Sequence, residues 1–181
     1  MTATNSWLLR GGTLVTVDGT PQAWAGDLLI EDGRITKLGQ FSPPPEARVI
    51  DCGGCAVMPG LVQAHLHLCQ TLCRGRADDL SLLDWLHQRV LPYEAALDEA
   101  DSTLAAELGC AELLLSGTTA ILDMGTVRHE DALCQAVANS GLRATVGKAM
   151  MDYGDGVPAA LRERTADSLA EADALAQRWH G

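Results

Sequence analysis

Residues 56–68 read AVMPGLVQAHLHL, a short apolar run that has the length and composition of a buried strand in a parallel sheet. His65 and His67 stand at the carboxyl-terminal end of this run. Because they are two residues apart on a strand, both side chains point to the same face. Parallel α/β sheets and barrels place their binding sites at this end of their strands. The pair therefore predicts a divalent metal site, since two imidazoles on one face can share a zinc ion.

The histidine pair also has plainer alternatives. One imidazole could be buried with a hydrogen bond while the other lies at the surface, as often happens for an isolated His-x-His pair. A different zinc site could use Cys52, Cys55, Cys69 and Cys73, since four thiolates form structural zinc centres. The two cysteine pairs differ in spacing, and a single Cys-x-x-Cys is a weak signal. The turn residues Pro59 and Gly60 before the strand, and the position of the two histidines at its end, favour the histidine site.

Beyond residue 68 the chain alternates between helical and strand patterns. Apolar residues at helical spacing predict a helix over 80–91, with Pro92 closing it. Asp98 is a suitable N-cap for a second helix, which Gly117 ends. The later elements are a strand over 118–124, a helix over 129–139, a strand over 142–151 and a helical stretch over 158–179. Repeated βα units predict a parallel sheet with covering helices.

The segment before the histidines has a different character. Residues 7–17 and 27–38 are punctuated by turn dipeptides and predict a small β unit made of hairpins. After a stiff loop over 42–45, another short strand is predicted over 48–52. Only three βα units follow, whereas a complete eight-fold barrel needs about 250 residues. The patterns alone leave open a small open sheet or an incomplete barrel. We place the domain boundary between an incomplete β segment at 1–57 and the βα units at 58–181.

Four stretches of the sequence carry a resemblance to a known family. PGLVQAHLH resembles the first metal-binding strand of the amidohydrolase superfamily. The next stretch, LCQTLCRGRADDLSLLDWLHQRVLPYEAAL, resembles the branch that deaminates S-adenosylhomocysteine, methylthioadenosine or 5′-deoxyadenosine. GTTAILDM and GLRATVGKAMMD continue the similarity. The resemblance implies an α/β fold: the N-terminal part of a (β/α)8 TIM-like barrel preceded by a small β-sandwich segment, both incomplete here.

The resemblance also implies an activity, hydrolytic deamination of an adenine nucleoside by a metal-dependent hydrolase that acts on C–N bonds other than peptide bonds. Related alternatives are a guanine-type deaminase or a triazine hydrolase, because chlorotriazine and N-ethylammeline hydrolases are close relatives of this branch. A third alternative is a non-catalytic zinc-binding or scaffolding module. One divalent ion is expected, Zn²⁺ in preference to Fe²⁺.

Particular residues match functional positions of the family. His65 and His67 match its first two metal ligands. Trp85 and Glu94 match positions that line the substrate pocket, where the glutamate accepts hydrogen bonds from a ribose. Lys148 matches a substrate-contacting position at which S-adenosylhomocysteine enzymes often carry arginine. This difference puts recognition of a carboxylated 5′ substituent in doubt and leaves a simpler 5′ group, such as that of 5′-deoxyadenosine, open. Without the resemblance, Trp85 could be an anchor on a helix face and Glu94 an ordinary solvated carboxylate. Lys148 could extend its ammonium group to water or, when carbamylated, bridge two metals.

The family's remaining ligands and proton-transfer groups come from later strands, so the catalytic residues are expected outside these 181 residues and this stretch alone is expected to be inactive. The net charge, 13 − 24 = −11, argues against nucleic acid or an anionic membrane as the partner. The expected partner is instead a purine nucleoside.

Six cysteines without an export signal predict a reduced, cytoplasmic protein. When full length, it is expected to form a homo-oligomer.

Overall fold

The structure is a computed structural model that describes residues 5–17 and 19–180. The chain divides into two compact units, Met1–Pro59 and Gly60–Gly181, and each is described by itself. This division lies close to the boundary between residues 57 and 58 that the change in sequence character predicts. Among the described residues, no helix combines the length and the apolar character needed to cross a membrane.

The first unit is a mixed five-stranded sheet in the order β3-β2-β1-β4, with β5 also paired to β1. Its strands are β1 (Ser6–Thr16), β2 (Gln22–Glu31), β3 (Arg34–Gly39), β4 (Arg48–Asp51) and β5 (Ala56–Val57). The prediction of hairpins is confirmed for β1 to β3, which pair antiparallel. The strands β4 and β5 instead run parallel to β1, β4 along Trp7–Arg10 and β5 along Thr13 and Leu14.

Alternation along these strands buries one set of leucines. Leu8 and Leu29 pair across β1 and β2, and both are almost completely buried. Val49 and Ile50 on β4 remain about half exposed. The sheet therefore has a small leucine core and keeps apolar side chains at its surface.

The second unit is built on a parallel three-stranded sheet in the order β6-β7-β8. Its strands are β6 (Leu61–Leu66), β7 (Thr118–Asp123) and β8 (Arg143–Val146). Its helices are α1 (Leu82–Trp85), α2 (Leu91–Ala96), α3 (Glu99–Leu115), α4 (Glu130–Ser140) and α5 (Thr165–Trp179). Helix α3 connects β6 to β7, and α4 connects β7 to β8, so the predicted succession of βα units is confirmed.

The core of this unit lies between the sheet and the helices α3 and α4. Its buried members are Leu68, Cys69, Ala106, Cys110, Ile121, Leu133, Ala136, Val137 and Leu142. Asp98 caps α3 as predicted, and its carboxylate accepts the Asp101 backbone N–H at 2.8 Å. Helix α4 ends at Gly141, whose φ of 77° lies in the left-handed region that glycine adopts without strain.

Three predicted element boundaries are wrong. Pro92 does not close the helix predicted over 80–91, because a wide π turn over Leu86–Val90 leads into α2, whose first turn contains the proline. A proline is tolerated there since its missing N–H has no partner in the first turn. The third barrel strand is shorter than predicted, and the last helical stretch is split by a break after a 3₁₀ turn at Ala159–Leu161.

Candidate functional site

His65 and His67 lie side by side at the carboxyl end of β6. Their ring centroids are 5.2 Å apart and their planes meet at 84°, so one ring presents its edge to the other. His65 is exposed and His67 is half-buried. The register between β6 and β7 shifts between Gln63 and Leu66, so the strand carries an irregularity next to the pair. The structure thus brings the two imidazoles together, and their role as metal ligands stays a prediction.

The surroundings of His67 favour the form of imidazole that binds metals. Burial lowers the pKa of His67, the negative charge of Glu94 raises it, and the neighbouring His65 lowers it further; the net shift is downward. A lowered pKa keeps the ring neutral near pH 7, and only a neutral imidazole has a free lone pair for a metal.

Among the described residues, no third metal-binding side chain is grouped with the two histidines. Over residues 5–17 and 19–180, no three His, Cys, Asp or Glu side chains are grouped so that they could hold a metal ion. The alternative zinc site would draw Cys52 and Cys55 from the first unit and Cys69 and Cys73 from the second, and it stays a prediction. Cys69 makes a poor ligand, because burial raises the pKa of its thiol and keeps it protonated.

Glu94 approaches the same end of β6 from helix α2. Its Oε1 accepts a hydrogen bond from the Gln70 amide at 2.8 Å and is 3.7 Å from the Cys69 sulfur. The hydroxyl of the adjacent Tyr93 donates to the Cys69 carbonyl at 2.9 Å. These contacts hold α2 against the segment that follows His67. The structure therefore places the carboxylate of Glu94 in the neighbourhood of the histidine pair, where its charge acts on His67.

Trp85 is the last residue of α1 and is half-buried. Nine residues separate it from Glu94, about two and a half turns of a regular α-helix, which would place the two on opposite faces. The wider π turn between them reduces this angular separation, and such turns are frequent at functional sites. The predicted role of Trp85 in a substrate pocket stays a prediction.

Lys148 follows β8 and has partners that the sequence does not reveal. Its side chain is 2% exposed, and Nζ donates to Glu163 Oε1 at 2.8 Å. Nζ also donates to the carbonyls of Val127 at 3.2 Å and Ala149 at 3.1 Å. An ammonium group has three N–H donors, so these acceptors use all of them. The prediction that Lys148 contacts a substrate is not tested by this arrangement, which gives the residue a structural role.

A cavity of about 830 Å³ lies elsewhere in the second unit, between α4, β8 and α5. Its lining includes Val137, Leu142, Lys148, Leu175 and Trp179. None of its lining residues comes from β6 or α2. The cavity is therefore separate from the histidine pair and from Glu94, and we do not assign it to the candidate site.

Most of the chain matches a known protein family. A model described as "Amidohydrolase family" matches residues 56–180, which include the histidine pair, Trp85, Glu94 and Lys148. The chain belongs to the amidohydrolase family. The match covers the parallel sheet and its helices, the part of the chain that holds the candidate site.

Two curated relatives of this amidohydrolase chain are adenosine-type deaminases. The chain is 37% identical over 184 residues to the 5-methylthioadenosine/S-adenosylhomocysteine deaminase of Desulforamulus reducens, covering 98% of this chain and 40% of the relative. It is 38% identical over 156 residues to the 5′-deoxyadenosine deaminase of Methanosarcina mazei, covering 86% of this chain and 34% of the relative. The chain thus spans well under half the length of these relatives.

A solved structure gives the same result for the fold. The adenosine deaminase of Xanthomonas campestris, solved with bound zinc, superimposes with a TM-score of 0.81 at 29% sequence identity. The superposition covers 96% of this amidohydrolase chain and 40% of the other. The predicted fold is confirmed, because the structural neighbours are TIM-barrel amidohydrolases and this chain matches 40% of the length of one and 43% of another.

Two buried carboxyl groups of this amidohydrolase chain were missed by sequence reasoning. Asp123, at the end of β7, is 0% exposed, and burial raises its pKa to about 6. Glu130, in the first turn of α4, is 2% exposed, and burial raises its pKa to about 8 although the Thr126 N–H donates to it. Its place at the end of an apolar strand is a sequence signal that could have marked Asp123 as a buried carboxyl. No signal marks Glu130, because a glutamate in a first helical turn is usually solvated.

Proposed function

We propose that the full-length protein is a metal-dependent hydrolase that deaminates an adenine nucleoside modified at the 5′ position. Candidate substrates are 5′-deoxyadenosine, methylthioadenosine and S-adenosylhomocysteine. The observation that carries the proposal is the pair of imidazoles of His65 and His67 at the carboxyl end of β6, with Glu94 near enough for its charge to raise the pKa of His67. The names of the curated relatives support the same reaction and substrate class.

The two histidines suit a divalent metal, and His65 and His67 would hold it. A neighbouring pair of imidazoles, one of them kept neutral by burial, is a donor set for Zn²⁺ or Fe²⁺. The related adenosine deaminase structure contains zinc, which supports Zn²⁺ over Fe²⁺. When bound, such an ion supplies Lewis-acid activation of water, lowering the pKa of water from about 15.7 toward about 7.

The chain's own polar residues would bind and orient the nucleoside. The Gln70 amide fixes the Glu94 carboxylate, which can then accept hydrogen bonds from ribose hydroxyls without first reorganising. Trp85 would line the same pocket from the end of α1. The internal partners of the Lys148 ammonium group leave it without a free donor for a carboxylated 5′ substituent. This favours 5′-deoxyadenosine or methylthioadenosine over S-adenosylhomocysteine.

A substrate panel on the full-length gene product tests the reaction. We expect ammonia release with the highest kcat/KM for 5′-deoxyadenosine or methylthioadenosine, and a lower value for guanine. A preference for guanine or for a chlorotriazine would replace the proposal with one of the related hydrolase activities. Stoichiometric zinc without turnover of any of these compounds would instead support a zinc-binding or scaffolding module.

The metal assignment needs a separate measurement. We expect His67→Ala to lose most of its bound zinc and its deaminase activity, measured by elemental analysis and ammonia release. His180→Ala is the matched control, since it removes an imidazole at the end of α5. Zinc retained in both His65→Ala and His67→Ala would contradict the proposed metal site.

A further inference from the structure

The backbone on either side of His67 is held by the end of β7. Before it, the Leu66 carbonyl accepts the Met124 N–H at 3.1 Å. After it, the Leu68 N–H donates to Oδ1 of Asp123 at 3.0 Å. A continuing parallel ladder would use a backbone carbonyl for the Leu68 N–H. The Asp123 side chain takes that place, so it extends the pairing of β6 and β7 by one hydrogen bond past the histidine.

This hydrogen bond lies in the interior of the second unit. Asp123 is 0% exposed and Leu68 is 2% exposed, so water cannot substitute for either partner. The Asp123 backbone is anchored as well, because its carbonyl accepts the Gly147 N–H at 3.0 Å, beyond the end of β8. Asp123 thus joins the carboxyl ends of all three strands. Loss of its side chain would leave the Leu68 N–H buried without a partner, at a cost of about 1–3 kcal/mol.

The second oxygen of Asp123 gives an independent reason to look beyond stability. Oδ2 is buried and makes no hydrogen bond of good geometry to any described residue, although the Gly125 N–H lies near enough to the carboxyl to lower its pKa. A buried carboxyl oxygen without a partner destabilises a fold, and native proteins keep few of them.

We propose that Asp123 is a positioning residue for the metal ligand His67. By fixing the Leu68 N–H, its side chain fixes the extended backbone of His67, with φ −135° and ψ 92°, and hence the direction of the imidazole. The inference rests on the proposed function only in taking His67 as a metal ligand. Groups that orient a metal ligand typically change metal affinity on the order of 10- to 100-fold when they are removed.

Zinc affinity of the metal-depleted full-length protein tests this role. We expect Asp123→Ala to weaken zinc binding on the order of 10- to 100-fold in a chelator competition. Asp123→Asn should stay within a few-fold of the wild type, because its amide oxygen can still accept from Leu68. The matched control is Thr118→Val, at the opposite end of β7, which is 5% exposed. Whatever it does to the melting temperature, it should leave zinc affinity unchanged. Asp123→Ala would give the same unchanged zinc affinity if Asp123 had only a structural role.

A second variant covers the case in which Asp123→Ala does not fold. Asp123→Leu also removes the acceptor, but its side chain fills the buried space that the carboxylate occupies. We expect the same loss of zinc affinity from it. Wild-type affinity in either variant, or an equal loss in Thr118→Val, would overturn the positioning role. Undiminished affinity in His67→Ala would instead defeat the metal site itself, so the two failures are distinguishable.

Discussion

Lys148 Nζ lies 2.8 Å from Glu163 Oε1, and the two side chains are only 2% and 3% exposed. Glu163 Oε2 also accepts from the Met151 N–H at 3.2 Å and the Ser168 hydroxyl at 3.0 Å. The pair therefore connects the residues after β8 to the first turn of α5. A charge buried so completely depends on its partner, because removing one member leaves the other uncompensated.

The first prediction is that Lys148→Ala affects stability more than substrate binding. Loss of one member of a buried pair typically costs about 3–5 kcal/mol, so we expect a clear drop in the unfolding midpoint of the full-length protein. Arg74→Ala is the control, since it breaks an ion pair with Glu112 of similar length, 2.7 Å, whose side chains are 63% and 46% exposed. That pair should contribute about 1 kcal/mol or less. A raised KM for Lys148→Ala at unchanged stability would restore its role in substrate contact.

The second prediction concerns Glu94. We expect Glu94→Gln to reduce kcat/KM for adenine nucleosides by roughly 10- to 100-fold, because a hydrogen bond to a charged group contributes about 1.5–3 kcal/mol. Its effect on a free base without ribose should be much smaller. Steady-state ammonia release gives both values, and Glu99→Gln on the exposed start of α3 is the control. An equal loss for nucleoside and free base would show that Glu94 does not recognise the ribose.

Zinc content of Glu94→Gln must be measured alongside these rates. The carboxylate acts electrostatically on His67, so its removal could weaken the metal site rather than the ribose contact. We expect wild-type zinc content in this variant, since Glu94 is not assigned as a ligand.

Local features of the sequence predicted the part of the site that depends on local geometry. Strand periodicity is sufficient to place His65 and His67 on one face, and Asp98 precedes its helix with the spacing of a cap. Contacts between distant residues could not be predicted in this way. Leu68 and Asp123 are 55 residues apart, and Lys148 and Glu163 meet only because the chain turns back after β8.

Pro92 shows a different limit of sequence reasoning. A proline usually marks a helix end, but the π turn before it resets the helix so that the proline falls in a first turn. No residue type in Leu86–Val90 identifies this wider turn. The error matters for the site, because the same turn determines how Trp85 is oriented relative to Glu94.

The third prediction compares two glycines that have nearly the same backbone conformation. Gly125 and Gly141 have φ values of 78° and 77°, so an alanine at either position is strained by about 1–2 kcal/mol. A Cβ at Gly125 would also overlap the Gly147 carbonyl oxygen, whereas a Cβ at Gly141 would meet nothing within 4 Å. We expect Gly125→Ala to be more destabilising than Gly141→Ala by a further about 1–3 kcal/mol. Equal unfolding midpoints would show that the close approach of Gly125 and Gly147 is easily relieved.

The fourth prediction is a pH dependence of stability caused by Glu130. Burial raises its pKa to about 8, from the model-peptide value of 4.5. Between these values the unfolded carboxyl loses its proton while the folded one keeps it, so the unfolded state binds fewer protons and stability falls as pH rises. The fall begins near pH 4.5 and ends near pH 8, with a slope of about 1.4 kcal/mol per pH unit.

Glu130→Gln isolates this contribution, because the amide cannot ionise and other titrating groups are unchanged. We expect the stability of the variant relative to the wild type to increase steadily between pH 5 and pH 8, measured from denaturant midpoints. Glu107→Gln, at an exposed position on α3, makes the same chemical change without burial. If stability against pH runs parallel for Glu130→Gln and the wild type, the buried carboxyl is already ionised at pH 5. Its Oε1, which has no partner among the described residues, would then have one from elsewhere.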